Sequence, residues 1–166
     1  MARENQVCEH LHLPLQSGSD RILAAMRRGY DRAGYLDLVG RLRNAVPGLA
    51  LTTDLIIGFP GETEAEFEET LSLVEECGFD GAFTFIYSPR RQTEAAGLPG
   101  RVAPDVAERR MARLVEVVQR LGRERNRAMT GRTVEVMVER ASRQRAGEVM
   151  GRTRGHKPVN FVSRAG

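Results

Sequence analysis

Three short apolar stretches punctuate the first half of the chain: residues 10–15 (HLHLPL), 51–57 (LTTDLII) and 82–87 (AFTFIY). Runs of this length, rich in aliphatic, β-branched or aromatic residues, read as buried parallel strands. Helical patterns lie between them. Ser19 is placed to cap a helix running through Met26 and Arg27 and stopped by Gly29. Asp31 caps a second, with Tyr35, Leu38, Val39 and Leu42 on one face and Pro47 and Gly48 at its end. Thr63 and Glu66 form a capping-box pattern ahead of Phe67, Leu71 and Val74, and Gly78 closes that helix. Strand, helices, strand, helix, strand is the order of a parallel sheet or part of a (βα) barrel.

After Tyr87 comes a loop with three prolines and two glycines. A long helix is expected over about residues 105–129, with Met111, Leu114, Val115, Val118 and Leu121 as its apolar stripe. Then the period changes to two. Residues 133–139 (TVEVMVE) alternate as a half-buried antiparallel strand does, and two more short strands are expected at 148–153 and 159–162. A small β module therefore starts near Gly131, and about 35 residues rarely stand alone. Three parallel strands make a thin sheet with raw edges. Both ends look cut, and the expectation is a piece of a longer protein.

The 166 residues carry 41% hydrophobic and 28% charged side chains, the balance of a globular protein. No apolar run approaches the roughly 20 residues of a membrane helix, and no signal-peptide pattern opens the chain. Two cysteines, Cys8 and Cys77, are too few for a disulfide framework, so a cytoplasmic setting is the default. The net charge of +3 hides an asymmetry. Residues 1–89 hold 7 basic and 14 acidic side chains, and residues 90–166 hold 18 basic and 8 acidic ones. The basic half suits a polyanion. A charged, solvated helix face is the plainer explanation of the same asymmetry.

Candidate chemistry gathers where the three strands end, in PLQSGS, GFPGE and YSPR. Ligands of parallel α/β folds bind beyond the carboxyl ends of the strands. One such turn is ordinary turn chemistry; three on one rim point to a ligand site. His10 and His12 share a strand face with Cys8, but no further metal ligand is near in sequence, so these side chains are expected to line the barrel interior. Asp54, inside an apolar strand, needs a partner; a structural anchor for a buried Arg is favoured over a pocket role.

HLHLPLQSGSDRIL, MRRGY, TTDLIIGFPGET, FIYSPR and GRT with VNF, in that order, strongly resemble the MiaB-like methylthiotransferases, radical S-adenosylmethionine (SAM) enzymes acting on tRNA. The resemblance covers about residues 7–162. It implies an α/β fold: the carboxyl-terminal part of a radical-SAM partial (βα) barrel over 1–130, then an incomplete all-β, RNA-binding TRAM-like module over 131–166. It implies SAM and two iron–sulfur clusters as cofactors of the intact family protein. Gln16, Ser17 and Ser19 would lie by the ribose and amino-acid part of SAM. Arg28 would pair with its carboxylate, as a guanidinium fork fits one; a solvated Arg near a helix end is the equal alternative. Gly58 and Glu62 would pack along the adenosyl group, with Phe85 and Tyr87 beside the adenine. His12 and Arg90 would face the substrate. Arg132, Arg152, Arg154 and Lys157 would contact RNA phosphates.

The chain lacks the CxxxCxxC loop that holds the radical-SAM cluster, and cluster ligation needs spaced thiolates. It is therefore expected to be inactive alone. The activity implied for the intact enzyme is conversion of N6-isopentenyladenosine next to the anticodon to its 2-methylthio derivative. The alternatives are sister enzymes acting on a ribosomal protein or on threonylcarbamoyladenosine, a non-catalytic RNA-binding relic, and an unrelated barrel enzyme for a phosphorylated ligand. Gln92, where the family usually has Gly, weakens the substrate assignment. The implied partners are tRNA and SAM, with no membrane; a monomer is expected.

Overall fold

In the computed structural model, which describes residues 6–90 and 93–162, the elements alternate as the pattern predicts. β1 (His10–His12), β2 (Ala50–Ile57) and β3 (Gly81–Ile86) pair in parallel in the order β1-β2-β3. α1 (Asp20–Ala25) and α2 (Arg32–Ala45) connect β1 to β2, and α3 (Glu64–Cys77) connects β2 to β3. A short 3-10 turn, Glu94–Gly97, precedes α4 (Pro104–Arg127). β4 (Val136–Ala141), β5 (Glu148–Thr153) and β6 (Pro158–Val162) form a separate antiparallel sheet in the order β4-β5-β6.

Alternation along β2 divides the parallel sheet into two faces. Leu51, Thr53, Leu55 and Ile57 are buried, and the leucine and isoleucine side chains join Tyr35 and Val39 of α2, Phe67, Leu71 and Val74 of α3 and Leu114 and Leu121 of α4 in one core. The opposite face carries Thr52 and Asp54, flanked by His12 on β1 and Phe83 and Phe85 on β3. This face is open: Phe83 is 63% and Phe85 52% exposed. Parallel sheets are ordinarily covered on both faces, so this is apolar surface of a kind that normally has a neighbour.

The helix ends follow the local chemistry. Asp31 accepts from the Gly34 N–H at 2.8 Å, and Thr63 and Glu66 close a reciprocal capping box. Gly78 ends α3 with φ of 53°. Several expectations need correction. β1 is shorter than 10–15, because the carbonyls beyond it turn to side chains: Tyr35 Oη donates to Leu13 O at 2.7 Å and Tyr30 Oη to Pro14 O at 3.0 Å. α1 stops before Gly29, with Arg27 itself in the left-handed region at φ 57°. Ser19 occupies the cap position but its hydroxyl donates to Glu66 at 3.4 Å instead. β4 starts three residues later than the alternation suggests, since Val134 and Glu135 line the seam with the rest of the molecule.

The antiparallel sheet docks at the amino-terminal end of the parallel one. Arg154 grips Glu9 with two nitrogens, at 2.7 and 2.9 Å. Lys157 Nζ lies 2.9 Å from Asp80 Oδ1, and His156 stacks on His10 with ring centroids 4.8 Å apart. Among the described residues, no helix is long and apolar enough to cross a membrane.

Candidate functional site

The carboxyl ends of the strands open into a cleft of about 790 Å³. Its floor is the sheet: Gln16, Asp54, Ile56 and Phe85. The end of α1 forms one wall with Arg27 and Arg28, and the loop after β3 forms the other with Tyr87, Arg90 and Glu94. An ion pair between Arg27 and Glu94 ties the two walls together across the opening.

Gln16 is held by the sheet although it lies outside β1. Its N–H donates to Asp54 O and its carbonyl accepts from Ile56 N–H, at 2.8 and 2.9 Å. That bridge forces φ of 72° at a non-glycine residue. Such backbone costs of order 1–3 kcal/mol and persists where surrounding contacts over-determine it, commonly at ligand sites.

Tyr87 supplies the most informative atom. Its ring meets Phe59 edge-on at 5.2 Å, and its hydroxyl is buried without a hydrogen-bond partner among the described residues. A buried unsatisfied hydroxyl costs about 1–3 kcal/mol, which a ligand acceptor would relieve. Arg28 and Arg90 also line the cleft, and neither has a carboxylate partner among the described residues. The cleft thus offers an apolar and aromatic floor and two guanidinium groups without a carboxylate partner among the described residues, with the buried Tyr87 hydroxyl beside it.

Other predicted residues point elsewhere. Ser17 and Ser19 are buried against α3: Ser17 Oγ lies 3.4 Å from Thr70 Oγ1, which also accepts from Gly18 N–H at 2.9 Å. Gly58 packs on α4 with φ of 73°, and a Cβ there would sit 3.3 Å from the Ala107 Cβ. Glu62 accepts from Gly58 N–H at 2.8 Å and from Arg110 of α4 at 2.9 Å. Ser17, Ser19, Gly58 and Glu62 shape the loops beneath the cleft and do not line it. His12 stands on the open sheet face. Its Nδ1 lies 3.0 Å from Thr52 Oγ1 and its Nε2 3.3 Å from Asp54 Oδ2. Asp54 is therefore a cleft residue paired with His12, which corrects the expectation of a buried Arg. Gln92 lies outside the described residues.

Arg132, Arg154 and Lys157 gather in a second cleft at the far end of the sheet, whereas Arg152 pairs within its own sheet with Glu139 at 2.9 Å. Sequence reasoning missed Arg110, an arginine only 5% exposed, because a charged residue in an amphipathic helix carries no mark of burial. It also missed the Arg27–Glu94 tie, which joins residues 67 positions apart.

No thiolate set for a cluster is present among the described residues: Cys8 is exposed, Cys77 is a buried residue at the end of α3, and no group of three His, Cys, Asp or Glu there could hold a metal ion. Burial pushes the Cys77 thiol up to about 11, so it is an inert core side chain.

Known proteins share this sequence and fold. Residues 1–74 match the radical SAM superfamily. The chain is 52% identical over 161 residues to a tRNA-2-methylthio-N(6)-dimethylallyladenosine synthase of Moorella thermoacetica, covering 97% of this chain and 36% of that protein. A Clostridium botulinum protein of the same name is 50% identical over 162 residues, covering 98% of this chain and 36% of that protein. The chain belongs to the MiaB-like methylthiotransferases of the radical SAM superfamily. It spans about a third of the length of the curated relatives it matches. Among solved structures, coproporphyrinogen III oxidase from Escherichia coli, described as a radical SAM enzyme, superposes with a TM-score of 0.59 at 19% identity, covering 69% of this chain and 27% of that one. That likeness supports the α/β fold of the MiaB-like chain and nothing finer.

Proposed function

We propose that this chain forms the SAM-binding wall and part of the RNA grip of a tRNA methylthiotransferase, acting on N6-isopentenyladenosine next to the anticodon. The observation that carries the reading is a cleft at the strand ends lined by Tyr87, whose buried hydroxyl has no partner among the described residues, together with Arg28 and Arg90. SAM held there would serve as the methyl donor and a second SAM as the source of a 5′-deoxyadenosyl radical, the electron coming from a cluster held by residues other than those described. The chain's own residues bind and orient. Ile56 and Phe85 offer a flat surface to a purine. Arg28 fits the carboxylate of the amino-acid part. The Tyr87 hydroxyl donates to a ligand acceptor, and the Gln16 amide adds a polar contact fixed by its backbone bridge to β2. Arg90, on the outer wall, faces the incoming substrate. Ser17, Ser19, Gly58 and Glu62 serve this wall from below, by fixing the loops that carry it.

Both cluster ligand sets of the family come, in this reading, from residues other than those described. The β4-β5-β6 sheet is read as part of a TRAM-type RNA-binding module. Equilibrium dialysis of methyl-tritiated SAM against the purified chain tests the cleft. Saturable binding is expected, weakened roughly tenfold by Arg28→Gln and several-fold by Tyr87→Phe, in keeping with about 1.5–3 kcal/mol for a charged hydrogen bond and about 1 for a neutral one. Binding indifferent to both substitutions refutes it.

A further inference from the structure

The second cleft, of about 530 Å³, lies at the seam between the two sheets, at the opposite end of the parallel strands from the Tyr87 rim. Three elements converge there: the end of α2 with Arg43, the end of α4 with Arg125, and the entry to the antiparallel sheet with Arg132. Arg43 Nη2 donates to the Gly78 carbonyl at 3.0 Å, and Arg125 donates to the same oxygen with Nη2 at 2.8 Å and Nε at 3.2 Å. One guanidinium is enough to satisfy a carbonyl at the end of a helix such as α3. Two on one oxygen bring like charges together, and burial together with Arg125 pushes the Arg43 pKa down.

Asp80 offsets only part of this repulsion at Arg43. Among the described residues, Arg43, Arg125 and Arg132 form no ion pair. The two acids of the cleft are already engaged. Asp80 holds Lys157 at 2.9 Å and accepts from Leu51 N–H at 3.1 Å, while Glu135 faces Arg154 at 3.8 Å. Arg43 and Arg125 therefore bring to a walled space positive charge that no ion pair among the described residues neutralises, with Arg132 on its margin. An oxyanion is the species that such a cluster stabilises, and a guanidinium fork matches phosphate oxygens in pairs.

We infer that this seam is a phosphate-binding site for the RNA backbone, built jointly by Arg43, Arg125 and Arg132. It rests on the reading that the partner is RNA, and it moves the grip from the antiparallel sheet alone to its junction with the barrel. Docking of that sheet through Arg154–Glu9 and Lys157–Asp80 completes the site by bringing Arg132 to the barrel arginines. A contact here, remote from the Tyr87 rim, positions RNA without reading its bases.

The test is fluorescence anisotropy of a labelled anticodon stem-loop transcript against the full chain over a range of salt. Arg43→Gln/Arg125→Gln/Arg132→Gln is expected to weaken binding at least tenfold at low salt. It should lower the slope of log K against log salt by about 0.7–0.9 for each phosphate no longer neutralised. Arg101→Gln/Arg109→Gln/Arg123→Gln removes the same charge elsewhere and is expected to do much less. Arg43→Lys/Arg125→Lys/Arg132→Lys keeps the charge but not the fork, and is expected to keep the slope while losing clearly less affinity than the glutamine variant. The inference is overturned if the glutamine variant, folded by circular dichroism, binds RNA with native affinity and slope. It is equally overturned if the folded lysine variant loses as much as the glutamine one. The readout needs neither SAM nor methylthiolation, so loss of this site leaves the Tyr87 cleft to its own dialysis test.

Discussion

Arg110→Met tests how the cleft loop is held. Arg110 reaches from α4 to Glu62, whose side chain is 1% exposed, and donates to its carboxylate at 2.9 Å and to its backbone carbonyl at 3.2 Å. The other partner of that carboxylate is the Gly58 N–H, one residue before Phe59 of the cleft. Methionine keeps the straight apolar stem over the Phe67 ring, which the guanidinium covers at 5.6 Å, but leaves Glu62 as a buried charge. Breaking a buried pair from one side costs about 3–5 kcal/mol. For a chain of this length that is a fall in Tm of about 6–20 °C. The pH dependence gives the mechanism. Burial already raises the Glu62 pKa above its ordinary value of 4.5, against the opposing pull of Gly58 and Arg110. Without Arg110 it rises further, so the folded state binds the proton more tightly than the unfolded state. The fold is then favoured below about 4.5 and loses stability as pH climbs through the raised pKa. Urea unfolding at pH 5 and pH 7 should therefore show a larger deficit for Arg110→Met at pH 7, and Glu62→Gln/Arg110→Met should recover much of it. A deficit under about 1 kcal/mol at pH 7, unchanged by pH, would refute the clamp, since a buried charge stripped of its partner costs several-fold more.

Three further outcomes follow from other parts of the fold. Gly18→Ala places a Cβ 2.5 Å from the Thr70 Cα, backbone against backbone, and is expected to cost about 1–3 kcal/mol in urea unfolding. Glu66 is held down to about 2, first by its hydrogen bonds with Arg21. Its stabilisation is complete above about 4.5 and is lost as pH falls toward 2, so Arg21→Gln should flatten the acid limb of a Tm-against-pH curve. Finally, the open sheet face predicts ANS fluorescence from the native chain, reduced by more than half in Phe83→Ser/Phe85→Ser with the far-ultraviolet spectrum unchanged.

Much of the architecture was legible because local signals agreed. The Thr63–Glu66 box, the Asp31 cap and the positive-φ Gly78 each mark a boundary with groups that act within a single helical turn. The cleft was legible at the level of strand ends and of Gln16, Arg28, Phe85, Tyr87 and Arg90. What was not legible depends on distant partners. Ser17, Ser19, Gly58 and Glu62 sit in the same loops as the cleft residues, yet α3 and α4 draw them away, through Thr70, Glu66, Ala107 and Arg110. Spacing along a loop does not say which side of it meets a helix far along the chain, 53 positions on for Ser17 and 48 for Glu62. The pairing of Asp54 with His12 and the meeting of Arg43 with Arg125 on one carbonyl are of the same kind.

The central claim is that the rim at the strand ends holds SAM. A titration of the isotope-labelled chain with SAM, followed by amide and side-chain NMR shifts, tests it residue by residue. Saturable shifts are expected at Gln16, Arg28, Phe59 and Tyr87, with none at Thr153 or Gly155 at the other end of the sheet. Millimolar SAM that leaves the rim unshifted, or that shifts only the seam, would contradict the account.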